Sequence, residues 1–191
     1  MAEFESGSKE IVETEIDGVT RYALGNTTVY KILVENLSNI DSASTNVYLI
    51  LDREASLVDV GFDQKGSRAD LEKGFEIINK EFKESIGLAE VSHIIITHGH
   101  IDHFGMLTYQ KLKGKGKKVY IHELDSGMVK NFEEGSYRWR EQMERLIKTA
   151  GWDLRLENLS LFTQFLVKPG DYDLIEVRDG DKIINGYTVC H

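Results

Sequence analysis

The first half of the chain contains short runs rich in apolar and β-branched residues, a pattern typical of β-strands. Runs of this kind cover residues 11–16, 21–24, 29–33, 46–51 and 55–60. Asp17 and Gly18 lie between the first two runs, and such a pair favours a tight hairpin turn because both residues accept positive φ. Little helical pattern separates the runs, so we expect an antiparallel meander.

After residue 60 the period becomes helical. Ser67 is a candidate N-cap, Gly87 a candidate terminator, and apolar residues recur between them at Leu71, Phe75, Ile78 and Phe82. The run 91–97 contains three consecutive isoleucines and predicts a strand buried on both faces. A helix over 104–112 and a strand over 119–122 should follow. This alternation predicts an α/β fold, in which ligands gather at the C-terminal ends of strands.

The region from about 123 to 167 is mostly helical in pattern, and the strand character returns at 174–177 and 182–189. Several large apolar side chains in the helical region share one face: Trp139, Met143, Leu146 and Ile147. We interpret them as core residues; the alternative is that they form a wall of a substrate pocket.

Composition narrows the class of protein. The chain has 191 residues, 41% hydrophobic and 29% charged, which is typical of a globular domain. Its net charge of −9 disfavours nucleic-acid partners, although five lysines lie close together at positions 111, 113, 115, 117 and 118. We interpret these lysines as a solvated helix end and turn. The single cysteine and the absence of a membrane-spanning run or signal-peptide pattern in the sequence favour a cytoplasmic protein.

The candidate chemistry lies in the segment Thr-His-Gly-His-Ile-Asp-His-Phe-Gly at 97–105. Three of the six histidines fall here beside a carboxylate, directly after the buried strand. Imidazole and carboxylate groups are metal ligands, so we predict a metal site built from His98, His100, Asp102 and His103.

Two further histidines receive other interpretations. His93 precedes the apolar run and is interpreted as a surface residue or one that supports a ligand, and His122 as an ordinary hydrogen-bonding residue at a strand end.

The donor set suits Zn²⁺ first, and then iron, manganese or nickel. A catalytic zinc ion lowers the pKa of its bound water to about 7, which supplies a nucleophile at neutral pH. A hydrolase is therefore the expected class of enzyme.

The segment 97–105 resembles the H-x-H-x-D-H signature of the metallo-β-lactamase superfamily, and 46–50 and 57–61 resemble two strands that precede it in that family. The resemblance implies an αββα sandwich. His98 and His100 would bind a first metal ion, and Asp102 and His103 a second. Asp102 would also orient the nucleophilic water as a catalytic residue, and Asp59 would support the site, or would simply be a turn residue before Gly61.

The resemblance also predicts what lies beyond the chain. The family completes its site with later histidines and a bridging aspartate, whereas this sequence stops at His191, on the approach to the third motif. We therefore expect residues 1–191 to be one incomplete domain, lacking its C-terminal part, with a helical insertion at about 123–167.

The leading hypothesis is a metal-dependent hydrolase of a small ester, thioester or lactone, with two zinc ions in the complete protein and iron or manganese as alternatives. The alternatives are a nuclease or phosphodiesterase of the same fold, an iron-dependent sulfur dioxygenase, and a truncated, non-catalytic metal- or partner-binding module. We expect a small-molecule substrate and neither a nucleic acid nor a membrane as partner.

Overall fold

The computed structural model describes residues 12–35, 44–114, 116–131, 145, 149 and 172–190. These residues form a single eight-stranded sheet whose strands are hydrogen-bonded in the order in which they occur in the chain. The strands are β1 (Val12–Ile16), β2 (Val19–Leu24), β3 (Thr27–Glu35), β4 (Ser44–Leu51), β5 (Ala55–Val58), β6 (His93–Ile96), β7 (Lys118–His122) and β8 (Asp173–Val177). The predicted α/β class is confirmed.

The first five strands are antiparallel neighbours, as the closely spaced strand-like runs predicted. Asp17 and Gly18 form the first turn at φ 49° and 82°, so the predicted hairpin is confirmed. From β5 onward the pairing is parallel, because a crossover carries the chain back before each new strand begins. The carboxyl ends of β5, β6 and β7 therefore meet at one edge of the sheet.

The crossover from β5 to β6 contains α1 (Lys65–Glu81), which packs on one face of the sheet. Its N-cap is Gln64 and not the predicted Ser67. Ser67 belongs to the first turn of the helix, and its hydroxyl donates to the carbonyl of Glu35. The helix ends at Glu81, with Phe82 as its C-cap, so Gly87 is not the terminator. The core between helix and sheet contains Leu71, Phe75 and Ile78 from the predicted apolar face.

Three shorter helical elements follow. They are α2 (Ile101–Phe104), a 3₁₀ turn (Gly105–Thr108) and α3 (Ser126–Lys130). The single helix predicted over 104–112 is wrong, because the chain tightens into the 3₁₀ turn at Gly105 and ends helical geometry at Thr108. The strand predicted over 182–189 is also wrong: a single bridge joins Lys182 to Thr188 around a 3₁₀ turn, Ile184–Gly186.

The predicted helical insertion at 123–167 lies largely outside the described residues, as do Trp139, Met143, Leu146 and Ile147. It stays a prediction, together with the extent of the domain. Within the described part of the chain, no helix combines the length and the apolar character needed to cross a bilayer.

The lysine-rich segment is only partly solvated. Lys117 is 5% exposed, and its ammonium donates to the carbonyl oxygens of Leu88 and Val91 at 2.9 and 2.6 Å. Burial lowers the pKa of Lys117, because the charged form loses its hydration. The interpretation as a solvated turn is therefore wrong for this residue, which fastens the loop before β6 to the start of β7.

The close approach of α1 to the sheet gives a first prediction. A Cβ added to Gly74 would lie 2.6 Å from Cγ2 of Ile32, so Gly74→Ala should destabilise the fold by about 1–3 kcal/mol. Gly66 lies in the same helix with open space around it, and Gly66→Ala should leave stability unchanged or raise it by about 0.5–1 kcal/mol. Urea denaturation of the two variants measures both effects, and equal midpoints would contradict the packing argument.

Candidate metal centre

The site begins with Asp59, the first residue after β5. Its φ of 58° turns the chain sharply, a conformation that aspartate tolerates better than most residues. Its amide donates to the carbonyl of Ile95 at 2.8 Å, which ties the turn to β6. The carboxylate is 4% exposed and lies where β6 ends.

Thr97 is the main partner of this buried carboxylate. Its backbone N–H donates to Asp59 Oδ1 at 2.9 Å, and its hydroxyl donates to Oδ2 at 2.8 Å. Because that hydroxyl gives its hydrogen to Asp59, its oxygen can accept from His98 Nδ1, 3.1 Å away. His98 is then protonated at Nδ1, and its unprotonated Nε2 carries the lone pair that a metal ion could use.

His103 is oriented by the same carboxylate. Its Nδ1 lies 2.7 Å from Asp59 Oδ2 and donates to it, which leaves Nε2 as the free nitrogen. Burial lowers the pKa of His103, but the hydrogen bond to Asp59 and the charges of Asp59 and Asp102 outweigh that effect and raise the pKa overall. Asp59 thus fixes the tautomers of two predicted ligands, one directly and one through Thr97.

His98 and His100 come together at the end of β6. Nε2 of His98 and Nδ1 of His100 are 2.9 Å apart, with their rings nearly perpendicular at 78°. The pKa of His98 is lowered, first by burial and then by the neighbouring imidazoles of His103 and His100. A lowered pKa favours the neutral imidazole, which is the form that binds a metal ion.

Asp102 and His103 form a second pair on α2. His103 Nε2, the free nitrogen, lies 3.6 Å from Asp102 Oδ2. The hydroxyl of Thr45 on β4 donates to the carbonyl oxygen of Asp102 at 3.0 Å and lies 3.5 Å from its carboxylate. The rings of His98 and His103 are 4.0 Å apart between centroids, so the two pairs are adjacent.

These separations can be compared with the demands of a metal ion. Two donors bonded to one tetrahedral zinc ion at about 2.0–2.1 Å lie roughly 3.4 Å apart. The Asp102–His103 pair is within about 0.2 Å of that value, whereas the His98–His100 pair would have to open by about 0.5 Å. The Asp102–His103 pair is therefore spaced for one shared cation, whereas the His98–His100 pair is closer together than a shared cation requires.

The described residues do not complete either set. Among them, no three His, Cys, Asp or Glu side chains are arranged to hold a metal ion together. A closed site needs further ligands, and tetrahedral zinc takes four.

The glycines of the segment allow close packing around the ligands. A Cβ on Gly99 would lie 3.0 Å from Asp125 Oδ1 and 3.1 Å from Cβ of Met128. A Cβ on Gly105 would lie 3.1 Å from the backbone nitrogen of Asp63 and 3.3 Å from the carbonyl oxygen of Gly61. The expectation that small residues are needed here agrees with these contacts.

The structure brings the four predicted ligands and Asp59 into one cluster, although their roles stay predictions. His93 was interpreted as a surface or supporting residue, and the surface alternative is wrong. It is 5% exposed and bonds to Glu54 at 2.5 Å and to Tyr120 at 3.2 Å. Thr97 and Thr45 were not predicted to be part of the site. The sequence signal that could have indicated Thr97 is its position next to His98.

Comparison with known proteins identifies the family to which the chain belongs. The sequence profile of the metallo-beta-lactamase superfamily matches residues 41–184, and the chain belongs to that superfamily. No match was found among curated proteins.

Two solved structures share the fold. A metallo-beta-lactamase family protein from Thermus thermophilus is 22% identical, with a TM-score of 0.61; the alignment covers 83% of this chain and 48% of that one. A metallo-beta-lactamase from Elizabethkingia meningoseptica is 19% identical, with a TM-score of 0.50 and coverages of 85% and 47%. The chain thus spans about half the length of these relatives.

Proposed function

We propose that the chain is the metal-binding part of a hydrolase that acts on a small ester, thioester or lactone through a metal-activated water. The observation that carries the proposal is the pairing of donor atoms at the end of β6: His98 with His100, and Asp102 with His103. Family membership supports the general class, hydrolase, and we infer the substrate range.

The chain's residues would divide the work in a simple way. The Nε2 atoms of His98 and His103, whose tautomers are set through Thr97 and Asp59, would hold the ions. Asp102 would bind the second ion and accept a hydrogen bond from the attacking water, which orients a lone pair toward the substrate carbonyl. When bound, zinc would supply an acidic water and polarise that carbonyl.

We propose zinc as the resident metal, with two ions in the full-length protein, because imidazole and carboxylate ligands suit it. Iron or manganese is the alternative for the same donors. Metal analysis of the protein as purified from its natural source distinguishes them, and stoichiometric iron would redirect the proposal toward a sulfur dioxygenase.

The activity can be tested on the full-length protein with four substrates: a short-chain thioester, a carboxylic ester, a lactone and a phosphodiester. We expect hydrolysis of one of the first three, loss of that activity after treatment with a chelator, and recovery when Zn²⁺ is returned. Cleavage of the phosphodiester alone would contradict the proposed substrate class. Turnover that survives complete removal of metal would contradict the mechanism.

A further inference from the structure

The helix that carries Asp102 and His103 is too short to hold its own shape. α2 has four residues and runs directly into a four-residue 3₁₀ turn, and neither element has a side-chain hydrogen bond at its N-cap. Isolated helices of this length are not stable in water, because the free-energy cost of nucleation exceeds what the hydrogen bonds of one or two turns contribute. The position of this pair of donors therefore depends on what residues 101–108 pack against.

One side of this segment is held by backbone contacts to the turn after β5. The amide of Val60 donates to the carbonyl of His103 at 2.8 Å, and the amide of Met106 donates to the carbonyl of Gly61 at 3.0 Å. Gly105 allows the two backbones to meet closely. These contacts hold the start of the segment but leave its far end, at Thr108, without an anchor from this turn's backbone.

Side chains fasten that far end. The hydroxyl of Thr108 donates to Asp63 Oδ2 at 2.5 Å, and Asp63 Oδ1 pairs with Nε of Arg68 on α1 at 2.5 Å. Arg68 also lies over the ring of Tyr109, 5.0 Å from its centroid, and the hydroxyl of Tyr109 donates to Glu72 on the same helix. We call Asp63, Arg68, Thr108 and Tyr109 the Asp63 clamp.

Asp63 is the centre of this clamp, because each of its oxygens serves a different element. Its side chain is 19% exposed, compared with 43% for Arg68, so the carboxylate is the better shielded partner. Its two bonds join the end of the 3₁₀ turn to the first turns of α1, which is the most extensive helix that the structure describes. A charge-assisted bond of this kind is stronger than a neutral one.

We propose that Asp63 is a positioning residue for the second metal ion. By holding Thr108 and Arg68, it sets the pitch of α2, and with it the distance between Asp102 Oδ2 and His103 Nε2. His98 lies before α2 and bonds to Thr97, which Asp59 holds in turn, and His100 bonds to His98, so the clamp acts on the pair of donors within α2. The inference rests on the proposed function, since it concerns the same metal site.

The test is a stepwise metal titration of the full-length protein in its metal-free form, with Zn²⁺ competing against a chelator of known affinity. Thr108→Val keeps the size of the side chain and removes its hydroxyl, and Asp63→Asn removes the charge. For both variants we expect the zinc affinity of the second binding step to fall about tenfold, and that of the first step to change by less than about twofold. A tenfold loss is the lower end of the effect of residues that orient metal ligands. Thr108→Ser should restore the second step.

The matched control is Asn79→Ala. Asn79 also lies on α1 and bonds through its side-chain amide to both the amide and the carbonyl of Ile86, away from α2. This variant should lower the stability of the fold without separating the two binding steps.

The outcomes distinguish the two proposals. If the unmodified protein binds no zinc, the proposed function fails, and the role of Asp63 fails with it. If the protein binds two ions but Thr108→Val behaves like Asn79→Ala, or weakens both steps equally, only the role of Asp63 is overturned.

Discussion

Replacing His100 by alanine is expected to abolish tight binding of the first metal ion and to remove hydrolytic activity. His100 Nδ1 lies 2.9 Å from His98 Nε2, so the substitution leaves a single imidazole where the structure places two. The loss of a direct ligand should exceed the 10- to 100-fold loss of affinity typical of residues that only orient a ligand, so we expect a loss of more than about 100-fold. Zinc titration and substrate turnover in the full-length protein measure the two effects.

His122→Ala is the matched control for this experiment. His122 is another histidine at the end of a parallel strand, and the sequence analysis kept it outside the ligand set. We expect this variant to lose no more than about threefold in zinc affinity, which is far less than the loss expected for a ligand. Full turnover by the His100→Ala variant would refute the assignment of the metal centre.

Replacing Asp59 by asparagine should disable the second metal ion while the fold remains. Asparagine tolerates the positive φ of this position, so the backbone turn is kept. Its oxygen, at the Oδ1 position, can still accept from both the amide and the hydroxyl of Thr97, so His98 keeps its tautomer. Its NH₂ group now faces Nδ1 of His103 and donates to it. The proton of His103 then moves to Nε2, the nitrogen that the metal needs.

For Asp59→Asn we expect the affinity of the second binding step to fall about 10- to 100-fold, the effect of losing a residue that orients a ligand. When zinc is limiting, the variant should bind close to one zinc ion per chain. ¹⁵N NMR of the imidazole nitrogens should report the tautomer of His103 directly in the metal-free protein. Two ions bound with unchanged affinity would show that Asp59 has no influence on this ligand.

The sequence was informative where the determinants are local. The hairpin at Asp17 and Gly18 depends on the φ preferences of adjacent residues, and the buried strand β6 depends on consecutive isoleucines. The cluster at 98–103 was found because all its members lie on one short stretch of chain. A single strand end followed by a single turn of helix is enough to bring them together.

The misjudged features depend on partners far away in sequence. Ser67 is suited to an N-cap, but the carbonyl of Glu35 takes its hydroxyl, and helix α1 begins two residues earlier at Lys65. His93 is buried because Glu54 and Tyr120 satisfy both ring nitrogens from neighbouring elements. Lys117 is buried because the loop before β6 offers it two carbonyl oxygens. No local pattern announces such pairings.

The support of the site was hidden for the same reason. Thr45 reaches Asp102 from 57 residues away in the chain, and Asp63 reaches Thr108 across 45 residues. Thr97 is adjacent in sequence to the first histidine, but its role depends on the turn after β5, which places Asp59 beside its hydroxyl. Candidate ligands could be proposed from residue type, whereas the groups that contact them could be found only from the fold.

The strand order has a consequence for biosynthesis. In the described sheet, every pair joins strands that are consecutive in the chain. Each strand can therefore pair with one that left the ribosome before it. The antiparallel part, complete at Val58, can form before the histidine segment is translated. That segment then emerges beside the antiparallel part and the turn at Asp59, where its predicted metal ligands can assemble as they leave the ribosome.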